Sequence, residues 1–248
     1  MTRRFDLVLF DLGDTLLYFD GSWAEVMAEG RRELLRSLQA AGLPVGQDFL
    51  DDFYRDLKAY YREREAEFVE YTVGYVLRAC LARWGYADLP EAVARRALQD
   101  MHTITQAHWI PEDDALPTLQ RLQALNYRLG LISNAADDPN TQVLVDKGGF
   151  RPYFELIVSS AAQGIRKPNP QIFHTALQAL GAPPQRAVMV GDTLGADILG
   201  ARNAGIFSIW ITRRANRPAN AAHADTIHPD AVIGRLAELP DLLERLCE

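Results

Sequence analysis

Four groups of polar residues stand where apolar runs end, and together they fit one kind of chemistry. Asp11 follows Leu7-Val8-Leu9-Phe10. Ser133 and Asn134 follow Leu131-Ile132. Lys167 lies in Gly164-Ile165-Arg166-Lys167-Pro168-Asn169-Pro170. Asp192 and Asp197, five apart, follow Val188-Met189-Val190-Gly191. Asp11 and Asp192 offer hard oxygen ligands of the kind Mg2+ prefers, with waters and phosphate oxygens completing its shell. Lys167 can offset the charge of the carboxylates and of a bound phosphoryl group. Ser133 and Asn134 can donate hydrogen bonds to that group's oxygens. Asp11 can attack phosphorus in line, forming an aspartyl-phosphate that water then hydrolyses. Phosphoryl transfer needs mainly positioning and charge stabilisation, and these residue types supply both.

Taken singly, each group has an ordinary explanation. Asp11, Ser133, Asn134, Asp192 and Asp197 are residue types that cap helices and turns. Lys167 is the type that decorates solvated loops. As an ordered set, each after an apolar strand, they are not explained by capping.

The surrounding pattern predicts the elements that position them. Leu7–Phe10 reads as a buried strand that delivers Asp11 at its carboxyl end. Almost a hundred residues of helical periodicity follow, with helices expected at Ser22–Ala41, Phe49–Phe68, Thr72–Trp84 and Pro90–Ala107, and a loop from Pro111. From Asp114 helix and strand alternate. Helices are expected at 114–125, 141–147, 171–180, 195–204 and 236–246, and strands at 128–133, 156–159, 187–190, 207–211 and 231–233. Thr212–Ala224 reads as a loop. This alternation predicts an α/β fold, a doubly wound, mostly parallel Rossmann-like sheet with helices on both faces. The helices inserted after the first strand predict a helical cap over the sheet's carboxyl edge. The expected division is a core of residues 1–17 and 112–248 and a cap of residues 18–111.

Composition narrows the setting. A formal net charge of −7 argues against a nucleic-acid or anionic-membrane partner. Cys80 and Cys247 stand in no metal-binding or disulfide spacing, which fits a reducing compartment. The N-terminus runs straight into a strand with no secretory pattern, and no apolar run reaches membrane-spanning length. A cytoplasmic protein acting as monomer or homodimer is expected.

The ordered motifs resemble those of the haloacid dehalogenase superfamily, with the cap inserted after the first strand, and the resemblance covers nearly the whole chain. Phe10–Leu16 is similar to the nucleophile motif at all but one position. Ser133 matches the hydroxyl motif, Lys167-Pro168 the lysine motif, and Gly191-Asp192 through Asp197 the acidic motif. The resemblance implies that Asp11 is the nucleophile and a Mg2+ ligand, and that Asp192 is a second ligand. It implies that Asp197 supports the metal and that the Gly13 backbone carbonyl completes the protein ligands. Catalytic roles fall on Asp11, Ser133 and Lys167, and substrate binding on Ser133, Asn134 and Lys167. A Mg2+-dependent phosphatase of small phosphorylated metabolites is the expected function.

Gly13 is the departure. In the phosphatases an aspartate there protonates the leaving oxygen and then activates water. Losing such a group costs roughly 10²–10⁴-fold, least for acyl and aryl phosphates with good leaving groups. Asp14 either swings in or is a turn residue. Adjacent side chains on an extended segment point to opposite sides, which favours the turn reading. Water or a polar cap group is a third source. Two alternatives follow: a weakened member that binds Mg2+ and a phosphorylated ligand as sensor or scaffold, and a C–P or C–halogen hydrolase. Dehalogenases of the superfamily lose the acidic motif, which Gly191-Asp192 retains here. The Schiff-base lysine of phosphonoacetaldehyde hydrolases has no match in the setting of Lys58.

In the cap, Tyr54, Tyr60, Tyr61, Arg55, Arg62 and Arg64 either line a pocket or form a salt-bridged helix face with Glu63, Glu65 and Glu67. Trp23 is a hinge or packing residue, or touches the leaving group. His102, His108, His174, His223 and His228 lack metal-ligand spacing and read as surface or packing residues.

Overall fold

The computed structural model describes residues 3–246; Cys247 lies outside the described residues. The chain opens with β1 (Leu7–Phe10), whose four residues are all buried. After it come β2 (Leu17–Phe19), α1 (Trp23–Ala40), α2 (Gln47–Glu67), α3 (Val73–Arg83), α4 (Glu91–Ala107) and β3 (Trp109–Pro111). The remainder alternates: α5 (Ala115–Ala124), β4 (Arg128–Ser133), α6 (Asp138–Lys147), β5 (Leu156–Ser159), α7 (Ser160–Gln163), α8 (Pro170–Leu180), β6 (Ala187–Gly191), α9 (Leu199–Asn203), β7 (Phe207–Ile211), α10 (Pro218–Ala221), β8 (Ala231–Ile233) and α11 (Leu239–Arg245).

Six strands form one parallel sheet in the order β5-β4-β1-β6-β7-β8. Strands covered on both faces read as continuous apolar runs, and β1, β4 and β6 do. One face packs Val8, Phe10, Leu129, Leu131 and Val190 against Leu119, Leu122 and Leu239. The other packs Leu7, Leu9, Ile132 and Met189 against Ile172, Phe173 and Leu177. β1 is central, with β4 and β6 on its two sides, so connections leave it in opposite directions. The crevice outside the carboxyl ends at such a switch point is where open α/β sheets bind ligands.

The inserted helices have their own core, which includes Leu34, Leu38, Phe49, Phe53, Leu77, Cys80 and Met101. α1 and α4 pack together, and Cys80 is a buried free thiol. β2 and β3 pair antiparallel, Leu17 opposite Pro111 and Phe19 opposite Trp109, so both chain crossings to the cap run through one ribbon. Pro111 therefore ends a strand, and the loop begins at Glu112. Proline is tolerated there because the ribbon is two-stranded and open at its edges.

A second junction joins cap to core. Val69 bridges Ile165, Glu70 N–H donates to the Gly164 carbonyl (2.9 Å), and Arg166 N–H donates to that of Phe68 (3.1 Å). Glu70, only 3% exposed, takes the Tyr60 hydroxyl, the Ser160 hydroxyl (2.9 Å) and the Arg64 guanidinium (3.1 Å), with Arg166 at 3.6 Å.

Candidate active site

The strand ends β1, β4 and β6 bring the expected residues to one cavity of about 370 Å3, roofed by the cap. Asp11, Gly13, Ser133, Asn134, Lys167, Asp192 and Asp197 all line it. Asp11 is set by the sheet: its N–H donates to the Val190 carbonyl (2.9 Å), continuing the β1–β6 ladder past the strand. Ser133 ends β4 opposite Ser159 of β5.

Lys167 is the hub. Its ammonium, 2% exposed, donates to Asp11 Oδ1 (2.7 Å), Asp197 Oδ1 (2.6 Å) and the Ile132 carbonyl (2.7 Å). Burial disfavours its charge, but Asp11 and Asp197 outweigh burial and hold its pKa above the usual lysine value. Asn134 differs from the expected phosphoryl-oxygen donor. Its Nδ2 donates to the Lys167 carbonyl and its Oδ1 accepts from the Lys167 N–H, both at 2.9 Å. Both ends of the amide are engaged with the lysine's backbone, so Asn134 positions Lys167.

The acidic motif turns more widely than the expected α-helix. Residues Leu194–Ile198 form a π-turn before α9, the kind of local widening found at functional sites. It swings Asp197 inward, where its Oδ2 accepts from Thr193 N–H (2.9 Å). A β-carbon on Gly191 would lie 2.3 Å from Asp197 Cγ, so the approach of Asp197 requires glycine there.

Asp11, Asp192 and Asp197 offer carboxylate oxygens all within 4.8 Å of one another, and all three are buried. Asp192 Oδ2 is buried and accepts no hydrogen bond among the described residues. Burial, then the charges of Asp11 and Asp197, pushes the Asp192 pKa up to about 8. Burial also raises Asp197, to about 6, against the opposing pull of Lys167. A buried cluster of three carboxylates, bridged by Lys167 at two of them, fits a hard divalent cation.

Further features of the site come from residues that sequence reasoning did not place in it, such as Trp109, Arg217 and Arg166, or left between two readings, such as Trp23, Tyr61 and Arg64. Trp109 on β3 covers Gly13: a β-carbon there would lie 3.3 Å from Trp109 Cη2. Trp109 belongs to an aromatic group with Phe19 (ring centroids 5.4 Å) and Trp23 (6.4 Å), and Trp23 also lines the cavity. Arg217, in the expected loop, pairs with Asp14 Oδ2 (2.5 Å) and Asp192 Oδ2 (3.3 Å). Asp14 has φ +57°, a turn conformation, but its carboxylate serves this ion pair and is not among the described cavity-lining residues. His102 lines the cavity beside Asp137 (Nε2 to Oδ2 3.7 Å), unlike the surface or packing role expected of all five histidines. Arg64, Tyr61 and Arg166 supply further lining from the cap and its junction, whereas Tyr60 turns to Glu70 and Lys58 stands at a separate hollow. The available signal for Arg217 was its place in the loop leaving β7, another strand opening on the same edge.

The sheet order, the cap and the lysine-bridged carboxylates define a hydrolase of the haloacid dehalogenase fold. The chain belongs to this family: the model of the haloacid dehalogenase-like hydrolases matches residues 5–205. It is 32% identical over 241 residues to the glyceraldehyde 3-phosphate phosphatase of Methanopyrus kandleri, covering 97% of this chain and 98% of that protein. It is 29% identical to the pyrimidine 5'-nucleotidase YjjG of Escherichia coli, over 97% of this chain and 98% of the relative. Among solved structures, a 2-haloacid dehalogenase from Pseudomonas syringae superimposes with a TM-score of 0.73 at 28% identity, covering 98% of this chain and 99% of the other. Among the described residues, no helix is long and apolar enough to cross a membrane.

Proposed function

We propose that the protein is a Mg2+-dependent phosphatase of small phosphorylated metabolites, working through an aspartyl-phosphate on Asp11. The observation that carries this reading is the Lys167 bridge from Asp11 to Asp197, 2.7 and 2.6 Å long, beside a buried Asp192 oxygen that accepts no hydrogen bond among the described residues. Asp11, Asp192 and the Gly13 carbonyl would hold the Mg2+, with Asp197 supporting it. Bound there, the ion supplies positive charge against the phosphoryl oxygens. Ser133 donates to one of those oxygens, and Lys167 aims the Asp11 carboxylate through its hydrogen bond to Oδ1. Asp11 attacks phosphorus, the bond to the alcohol oxygen breaks, and the leaving oxygen takes a proton from water. A second water then cleaves the acyl phosphate and releases inorganic phosphate. The division into a core of 1–17 and 112–248 and a cap of 18–111 belongs to this reading, as does a cytoplasmic setting. The β2–β3 ribbon would serve as the hinge.

The substrate is a small phosphate ester. Relatives named as glyceraldehyde 3-phosphate phosphatases support a three-carbon phosphate, and a cavity of about 370 Å3 suits a ligand of that size. Phosphate release from a panel of esters, with Mg2+ and with EDTA, tests the reading on the wild type and Asp11→Asn. Turnover that survives Asp11→Asn or EDTA would overturn it. The covered Gly13 favours a second reading, a protein that binds Mg2+ and a phosphorylated ligand without efficient turnover. Tight ligand binding with no phosphate released from any ester is its signature.

A further inference from the structure

Arg217 reaches the site from a loop that is anchored rather than loose. Asn220, 3% exposed, donates to the Asp192 carbonyl and to that of Ala215 (both 2.9 Å) and accepts from Leu194 N–H (2.8 Å). This fastens the loop to the backbone of the acidic motif and presents the Arg217 guanidinium to the cavity. There one nitrogen holds Asp14 Oδ2 at 2.5 Å and another stands 3.3 Å from Asp192 Oδ2. Both are ion pairs, and they differ in length. The shorter is to an αL aspartate. The longer leaves Asp192 Oδ2 without a hydrogen bond among the described residues. Asp192 is thus the weaker hold, and it belongs to the carboxylate cluster suited to a divalent cation.

We propose that Arg217 is a displaceable internal cation that also binds the phosphoryl group. In the ligand-free site its guanidinium stands beside Asp192 Oδ2, where a cation would bind. When a divalent cation takes that carboxylate, like-charge repulsion drives the guanidinium off Asp192 while Asp14 retains it by its other edge. The freed N–H groups then face the cavity that also contains Asp11, Ser133 and Lys167. A guanidinium fork suits phosphoryl oxygens, to which it donates charge-assisted hydrogen bonds. Such a contact would stabilise charge on the transferring group in a site that lacks the usual carboxylic acid at Gly13. Arg217 is fully protonated at working pH, so it supplies charge and not a proton.

The proposal rests on the phosphatase reading, and its test does not require turnover. Calorimetric titration with MgCl2, then with inorganic phosphate at saturating Mg2+, is run on the wild type, Arg217→Gln and Arg217→Lys. Arg217→Gln is expected to bind Mg2+ roughly two- to fivefold more tightly, because a part-exposed ionic competitor is gone. The same variant should bind phosphate roughly tenfold more weakly, through loss of charge-assisted hydrogen bonds. Arg217→Lys, which keeps the charge without the fork, should fall between for both ligands. A purely structural loop residue would weaken both ligands together. Shifts of the same sign, or no shift in either, overturn the proposal. Opposite shifts in a protein that hydrolyses no ester would leave Arg217 assigned and overturn the phosphatase reading alone.

Discussion

The indole of Trp109 lies against Gly13, with Cη2 3.3 Å and Cζ3 3.6 Å from where a β-carbon would stand. The position that carries an aspartate in phosphatases of this fold is thus covered by a ring from β3 of the β2–β3 ribbon. Glycine at 13 and tryptophan at 109 are one packing solution.

Gly13→Asp alone is therefore expected to push against Trp109 and lose about 1–3 kcal/mol, as overpacking does. It should gain little activity. Gly13→Asp with Trp109→Ala removes the obstruction and is expected to exceed both single variants on alkyl phosphates by roughly 10²-fold. Steady-state kinetics with alkyl and aryl esters, beside denaturant melts, check both statements. A fast, stable Gly13→Asp single variant would contradict the packing argument.

Lys167→Ala removes the only cation that touches both Asp11 and Asp197 among the described contacts. Breaking a buried ion pair from one side costs about 3–5 kcal/mol, and kcat should fall roughly 10²–10³-fold. Mg2+ should recover part of the stability, since it also offsets the carboxylates. Urea melts with Mg2+ and with EDTA read this directly.

The metal-free protein should lose stability as pH rises from about 4 to about 8. Asp192 moves from its usual 3.8 to about 8 on folding, so within that window the folded state holds a proton that the unfolded state releases. Stability then declines with pH, and Asp197, raised to about 6, adds to the lower part of the window. Arg-paired Asp52, Asp100, Asp113 and Asp146 are shifted down and act only at or below the usual carboxylate value. A cation favours the charged forms, so Mg2+ should raise Tm more at pH 8 than at pH 6. At a concentration 100 times its Kd, the stabilisation is about 2.7 kcal/mol. A melting series in EDTA and in MgCl2 decides; a metal-free Tm that climbs across this window would refute the account.

Glu70 joins cap to core through Tyr60, Arg64, Ser160 and Arg166. Glu70→Ala leaves a buried cluster with excess positive charge and is expected to cost about 3–5 kcal/mol. Proteolysis near 64–70 should accelerate, because the cap would be left chiefly to the β2–β3 ribbon. Glu70→Gln, which keeps the hydrogen-bonding shape without the charge, should lose less. Equal resistance in all three proteins would show that the junction holds without Glu70.

Asp11, Ser133 and Asp192 were legible because each stands at the end of an apolar run that reads as a buried strand, and Lys167 and Asp197 because they complete the ordered motif set. The sheet and its helices were legible for the same reason: burial on both faces writes a continuous pattern into the chain. The wide turn at Leu194–Ile198 was not, since its sequence also suits an α-helix and the inward pull comes from Lys167. Asn134 was assigned to the right cavity, but its two amide contacts run to a backbone far along the chain.

What the sequence by itself determined is the order of strands and polar ends, hence the family and the residues gathered at the carboxyl edge. Only the tertiary structure decided what surrounds them: Trp109 over Gly13, Arg217 between Asp14 and Asp192, His102 in the cavity wall and Glu70 at the cap junction. Local periodicity reports which side chains are buried, because burial is written into neighbouring residues. Which distant charge or ring fills a given space depends on how surfaces far apart in the chain meet, and no spacing along the chain records that.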